Sequence, residues 1–377
     1  MIFVMKNQRL ISLDVFRGLT VALMILVNTP GSWAHIHPPL RHAAWQGWTP
    51  TDLVFAFFLF AVGVAISLSF RRRLETGAAP GDLVRKVLMR AAIIFVLGLL
   101  LNGFPYDKLG ELRVWGVLQR IAVCYLIAGL TVVLVRRRNG RLAVMLGLLL
   151  GYELLMRLPL IAAWGNGSFA LEDNFVRRID LIWPGAVHLY QGKGLPFDPE
   201  GLLSSLPAAA GTLAGFFTGE YLHQDRPLSR RLVGLALGGT LLTATGLLLG
   251  FIEPINKQLW TVSYTVLTTG LALLTLAACG WLIDVRRWQR WAGPALVFGS
   301  NALVAFVGSG LLVRILLLIK ITGPDGAQAS LSSTLYKDVF LPLAGPVNGS
   351  FLYALSTVVL WWALLWLLYR RRIFIKI

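Results

Sequence analysis

The sequence predicts an all-α integral membrane protein, a polytopic bundle of about ten transmembrane helices forming one domain over residues 1–377. Three observations carry this expectation. Hydrophobic residues make up 56% of the chain and charged residues only 14%, with mean hydropathy +0.69, which leaves too little polar surface for a soluble domain. Apolar windows long enough to cross a bilayer recur about ten times. The 35 Lys and Arg, against 18 Asp and Glu, fall in short clusters between those windows. Despite a formal net charge of +17, that placement marks membrane orientation and argues against nucleic-acid binding.

The windows cover residues 12–32, 50–70, 88–104, 114–135, 141–161, 201–222, 231–252, 263–283, 292–319 and 349–369. Placing the clusters Arg71–Arg73, Arg136–Arg138, Arg230–Arg231, Arg286–Arg287 and Arg370–Arg372 in the cytoplasm makes successive spans alternate and puts both termini on the cytoplasmic side. The long extracytoplasmic segments are then 33–49, 162–200 and 320–348. Lys6 and Arg9 before an apolar run imitate a signal peptide, but Asp14 and Arg17 interrupt the run and no small-residue cleavage site follows, so it reads as an uncleaved first span. Cys124 and Cys279 lie inside apolar runs and offer no disulfide framework.

In the first span Asp14 and Arg17, three residues apart, can pair on one helical face, either as a cytoplasmic anchor or as part of a polar path. Asn28 returns to that face just before Thr29-Pro30-Gly31 breaks the helix. His35, His37 and His42 follow. The Pro38-Pro39 loop imposes no tetrahedral geometry on them and no carboxylate stands ready to orient them, so no metal is expected. His42 precedes the helix start Thr49-Pro50-Thr51-Asp52, where Asp52 either caps backbone N–H groups or turns toward the imidazole.

Gln119 and Arg120 lie about two turns into the fourth span, where an unpaired guanidinium is costly, so Arg120 calls for a partner such as Asp14 or a bound anion. The segment 162–200 carries Asp173, Asp180, His188 and Asp198 and is the largest extracytoplasmic surface near the mouth where His42 stands. Glycines repeat at four-residue spacing, as in Gly211-Gly215-Gly219, Gly147-Gly151 and Gly246-Gly250. They serve either internal helix packing, the simpler reading, or a homodimer interface. Asn256-Lys257 with Trp260 and Ser263-Tyr264 opens the eighth span, either as an interfacial aromatic belt or as a ligand-contacting motif. Asn301, in Gly299-Ser300-Asn301 inside the ninth, is a candidate for a helix-packing hydrogen bond. No pair of matching broken helices marks two transporter halves.

Arg9-Leu-Ile-Ser-Leu-Asp14-Val-Phe-Arg17-Gly18, Val27-Asn28, His42-Ala-Ala-Trp45-Gln-Gly47-Trp-Thr49, Asp52-Leu-Val-Phe55, Gly116-Val-Leu-Gln119-Arg120 and Asn256-Lys257-x-Leu-Trp260-x-x-Ser263-Tyr264 occur in order along nearly the whole chain. Together they resemble the heparan-alpha-glucosaminide N-acetyltransferase family and its bacterial relatives. The chain departs from that pattern at Ala56 and Trp115, where the relatives carry proline. The resemblance implies a transmembrane acyltransferase that moves an acetyl group from cytosolic acetyl-CoA to an amino sugar beyond the membrane, with His42 in the place of the essential histidine. The resemblance to bacterial relatives implies a bacterial cell-wall or dietary amino sugar as the expected acceptor and a bacterial inner membrane as the expected location.

Acyl transfer to an amine needs a base and oxyanion donors. His42 is the expected base or, alternatively, an acyl-accepting nucleophile. Asn28 is a donor and Asp52 the group that orients His42. Asp14, Arg17, Gln119, Arg120, Lys257, Trp260, Ser263 and Asn301 are expected around acetyl-CoA, and Trp45, Asp180 and His188 around the acceptor. A cytosolic donor and an external His42 demand a polar channel from Asp14 and Arg17 up to Asn28 and His42. The rival class is a sugar or small-molecule transporter using the same polar lining.

Overall fold

The computed structural model describes residues 10–75, 77, 79–157, 168–322, 326 and 328–375. Lys6, Arg9 and the end of the fifth predicted span, residues 158–161, lie outside the described residues. Helices α1 (Ile11–Asn28), α2 (Pro50–Glu75), α3 (Pro80–Gly103), α4 (Val117–Leu134) and α5 (Arg138–Arg157) form the first half. A short α6 (Phe175–Asp180) leads to α7 (Ser205–Leu222), α8 (Leu228–Leu249) and α9 (Val262–Gly280). The remainder is α10 (Gly293–Ser300), α11 (Ala302–Leu318), a two-stranded antiparallel ribbon of β1 (Lys320–Thr322) and β2 (Gln328–Ser330), α12 (Leu331–Leu335) and α13 (Leu341–Arg370).

Every predicted window thus holds helix. Among the described residues, seven helical stretches are long and apolar enough to cross a membrane, and the bent pair α10–α11 makes an eighth if it counts as one span. Helices α3 and α7 occupy the third and sixth windows without meeting that criterion. The ninth window is not one straight span: its two helices meet at 83° at Asn301.

Two local devices fix the elements that matter for the site. Helix α2 starts at Pro50, whose missing N–H costs nothing in a first turn. Asp52 Oδ2 reaches back to accept from the Thr49 N–H at 3.0 Å, the carboxylate half of a capping box. Helix α9 is capped by Thr261, whose Oγ1 accepts from the Tyr264 N–H at 3.4 Å.

Small residues set the helix crossings. A Cβ on Gly63 would collide with the Thr212 backbone and one on Gly215 with the Phe60 backbone, so α2 and α7 touch main chain to main chain. Without a hydrophobic effect between helices in lipid, such close approach is what holds them. Gly219 faces Ser67 and Gly246 faces Leu267, again internal contacts, whereas Gly147, Gly151 and Gly238 meet nothing within 4 Å. The largest buried cluster joins α1, α2, α4, α7, α9 and α10 through Ile25, Leu59, Cys124, Ala209, Tyr264 and Phe298. It lies beneath the loops that follow α1 and precede α9.

Candidate active site

The loop between α1 and α2 is folded against the loop between α8 and α9. The Gly47 N–H donates to the Ile255 carbonyl at 2.8 Å and Gly47 pairs with Asn256 in a single parallel bridge. Gly47 sits at φ +90°, a conformation that side chains other than glycine's resist, which explains the residue at this turn. The facing loop is tied by its own polar groups. Asn256 Oδ1 accepts from the Leu259 N–H at 2.9 Å, Thr261 Oγ1 accepts from the Asn256 N–H at 3.0 Å, and a Glu253 carboxylate oxygen accepts from the Ser263 N–H. Trp260 takes φ +55° inside this turn, unusual for a bulky residue. It is held there edge-on between Phe55 and Tyr264, with the Arg120 guanidinium 4.8 Å from its ring centroid.

These two loops bring three side chains together. His42 Nδ1 is 2.6 Å from Asp52 Oδ1, Lys257 Nζ is 3.0 Å from the same nitrogen, and Lys257 Nζ is 3.4 Å from Asp52 Oδ1. Asp52 is 1% exposed and its second oxygen accepts from the backbone N–H groups of Ala43 and Thr49, both at 3.0 Å, and from the Thr49 hydroxyl at 3.1 Å. The Tyr264 hydroxyl donates to the Asp52 carbonyl at 2.6 Å. Asp52 therefore caps α2 and faces His42 at once. An ionised carboxylate only accepts, so Nδ1–H donates in its contact with Asp52, and in the neutral ring the lone pair is then on Nε2. His42 is one-third exposed, open enough to meet a substrate. Burial pushes the Lys257 ammonium down, against the pull of Asp52 and Glu200.

Asn28 lies elsewhere. It lines a cavity of about 220 Å³ between α1, α3, α4 and α11, together with Asn102, Arg113, Gln119, Ser309 and Arg314. His42, Asp14 and Arg17 are not among its lining residues, so this cavity does not by itself supply the continuous path expected between all four groups. The Asp14–Arg17 pair forms at 3.0 Å, and Arg17 Nη2 also donates to the Gly299 carbonyl, which seats it under α10. Asn301 at the α10–α11 bend accepts from the Ile375 N–H at 2.8 Å and donates to the Ile373 carbonyl at 3.0 Å, pinning the C-terminal tail. Both ends of its amide are used in those bonds.

Arg120 is fully buried, but its partners are the Ser204 hydroxyl, the Gly201 carbonyl and the Trp260 ring, not Asp14. Ser263 bonds to Thr261, at 3.0 Å between hydroxyls, and so serves the α9 cap. Trp45 Nε1 donates to the Phe169 carbonyl at 2.8 Å and stacks edge-on with Phe197, which docks the 168–200 segment beside His42. His188 Nδ1 is 2.8 Å from the Leu112 carbonyl. Among the described residues no group of three or more His, Cys, Asp or Glu could hold a metal ion.

Asp180 is buried, with one oxygen accepting from the Leu202 N–H at 3.2 Å and the other without a partner among the described residues. Burial, with Asp198 nearby, pushes its carboxyl up to about 8 against the pull of Arg120. The native state therefore holds a proton that the unfolded chain releases near pH 4, and stability falls as pH rises from about 4 to about 8. Asp180→Asn is expected to remove this slope, worth about 1.4 kcal/mol per pH unit inside the window. Melting temperatures in detergent at pH 5 and pH 8 check it: the gap between variant and wild type should widen in the variant's favour at pH 8.

Sequence reasoning missed two features. Lys257 is expected around acetyl-CoA, and its place beside His42 and Asp52 was not foreseen. Arg314 was not singled out, although a lone cation within the apolar run 302–318 is a signal in its own right.

Residues 9–233 match a family model described as heparan-alpha-glucosaminide N-acetyltransferase, catalytic. The chain is 27% identical over 358 residues to the human heparan-alpha-glucosaminide N-acetyltransferase, a match covering 80% of this chain and 52% of that protein. It is 26% identical over 363 residues to the mouse protein of the same name, covering 81% and 54%. The chain thus spans about half the length of the curated relatives it matches.

Proposed function

Because the chain belongs to the heparan-alpha-glucosaminide N-acetyltransferase family, we propose that it is a transmembrane acetyltransferase that moves an acetyl group from acetyl-CoA to the amine of an amino sugar or glycan, with His42 as the catalytic group. The observation that carries this reading is the 2.6 Å contact between Nδ1 of the one-third-exposed His42 and the buried Asp52 carboxylate, which in the neutral ring assigns the proton to Nδ1 and the lone pair to Nε2. As a base, Nε2 takes a proton from the acceptor amine while the amine nitrogen attacks the thioester carbonyl. The C–S bond then breaks, and the imidazolium returns the proton to the departing thiolate. As a nucleophile, Nε2 attacks the acetyl carbon and the C–S bond breaks to release the thiolate; the amine then attacks the acetyl carbon, its bond to Nε2 breaks, and the proton lost by the amine goes to the thiolate. Asp52 holds the ring in the productive tautomer in both routes. Lys257 balances the carboxylate charge, and Asn28 is the proposed donor to the oxyanion. Trp45 and the 168–200 segment are proposed to bound the acceptor.

The donor is proposed to arrive from the side of the arginine clusters, where Asp14 and Arg17 stand, with both termini on that side. The test is purified protein in sealed vesicles, supplied with labelled acetyl-CoA with and without glucosamine. N-acetylglucosamine carrying the label is the expected product. Uptake of unmodified sugar with no acetylation would replace the transferase by a transporter.

A further inference from the structure

The cavity between α1, α3, α4 and α11 carries, besides Asn28, polar groups that the chemistry at His42 does not require. Glycines at 98 and 116 leave room for the Gln119 amide, since a Cβ at either position would press on it. Gln119 is 1% exposed, lines the cavity, and its Nε2 has no partner among the described residues. Asn102 Nδ2 is spent on the Arg113 and Trp115 carbonyls, both at 3.1 Å. The cavity contains two guanidinium groups and no carboxylate. Arg113 is already neutralised: Nε and Nη2 donate to Asp198 at 2.8 and 2.7 Å, and Nη2 donates to Glu200 at 2.7 Å. Arg314 is not. Its bond within the structure is from Nη1 to the Gly310 carbonyl of its own helix at 3.2 Å, and among the described residues no carboxylate pairs with it.

A half-buried cation in an apolar helix, beside an unpartnered amide N–H in a cavity without acid, is arranged to accept negative oxygen. We propose that this cavity binds an anionic group of a substrate, a carboxylate, sulfate or phosphate ester, with Arg314 as its charge partner and Gln119 as a hydrogen-bond donor. The cavity communicates electrostatically with the His42 site, because Glu200 pairs with Arg113 on one side and lies within Coulombic reach of Lys257 on the other. The occupant of the cavity is taken to be one of the two substrates of acetyl transfer at His42. The proposal rests on the transferase reading for the identity of that substrate, and two carriers share the chemistry: an acidic amino-sugar acceptor and the phosphates of acetyl-CoA.

Paired substrates separate them. For acceptors, the ratio of kcat/KM for glucosamine 6-sulfate to that for glucosamine is measured in wild type and in Arg314→Gln. For donors, the same ratio is taken for acetyl-CoA over S-acetylpantetheine. A fall of about tenfold in one ratio supports the proposal and names the carrier, and Arg314→Lys should keep that ratio within about threefold of wild type. Both ratios unchanged in Arg314→Gln overturn it. A second readout needs no turnover: sulfate at matched ionic strength should raise the melting temperature of wild type above that in chloride, and Arg314→Gln should lose the difference. Absence of acetyl transfer with a sulfate effect intact would remove the transferase reading and leave the anion site standing. Absence of the sulfate effect in wild type removes the site.

Discussion

His42→Ala is expected to lower kcat for acetyl transfer by about 10²–10⁴-fold, the range associated with loss of a positioned acid–base group. KM for acetyl-CoA should change little, because no contact proposed for the donor's phosphates passes through the imidazole. The substitution leaves the local fold intact for a definite reason. Asp52 keeps its bonds from the Ala43 and Thr49 backbone and the Thr49 hydroxyl, and Gly47 keeps its pairing with the 255–256 backbone. The melting temperature should therefore stay close to wild type, which separates loss of chemistry from loss of structure. Incubating wild type with labelled acetyl-CoA and no acceptor, then quenching, divides the two routes: label retained on the protein and absent in His42→Ala identifies the nucleophile, and no retained label identifies the base. A variant that keeps more than about a tenth of wild-type kcat would remove His42 from the reaction.

The helical architecture was legible because bilayer thickness fixes element length, and an uninterrupted apolar window leaves little else for the backbone to do. The start of α2 was legible for a local reason: Thr49, Pro50 and Asp52 specify a cap within four residues. His42 and Asp52 are only ten residues apart, so their meeting could be read from a loop and a helix start. Lys257 is 215 residues from His42, and what joins them is the pairing of Gly47 with Asn256, which leaves no mark in local composition. The same holds for Asn301. Its polar side chain inside an apolar run signalled a hydrogen bond but not the break in the helix, and the groups that satisfy it come from the backbone at residues 373–375, where the sequence shows only apolar side chains. Arg120 illustrates the converse: the need for a partner was plain from its depth, while Asp14, the charge available by inspection, was already committed to Arg17.

Asp52→Asn tests the tautomer argument more sharply than any deletion. The amide keeps one carbonyl oxygen, which can still accept from Ala43 and Thr49 and so preserve the start of α2. The atom facing His42 then becomes an NH₂ group, which donates and favours an imidazole that accepts at Nδ1 and carries its proton on Nε2. That ring has no lone pair for the substrate. Lys257 at the same time loses the carboxylate 3.4 Å from its ammonium and can itself donate to Nδ1 at 3.0 Å, which pushes the equilibrium the same way. Expected is a fall in kcat of about 10²–10⁴-fold with a small change in melting temperature, comparable to what mis-setting a histidine tautomer does in the serine-protease triad. Nitrogen-15 chemical shifts of labelled histidine supply the decisive readout: the Nδ1 signal should be of the protonated type in wild type and move to the unprotonated type in Asp52→Asn. If activity falls while that signal stays put, Asp52 acts only through the cap. If the signal moves and activity persists, the proton on Nε2 does not matter and His42 is not the base.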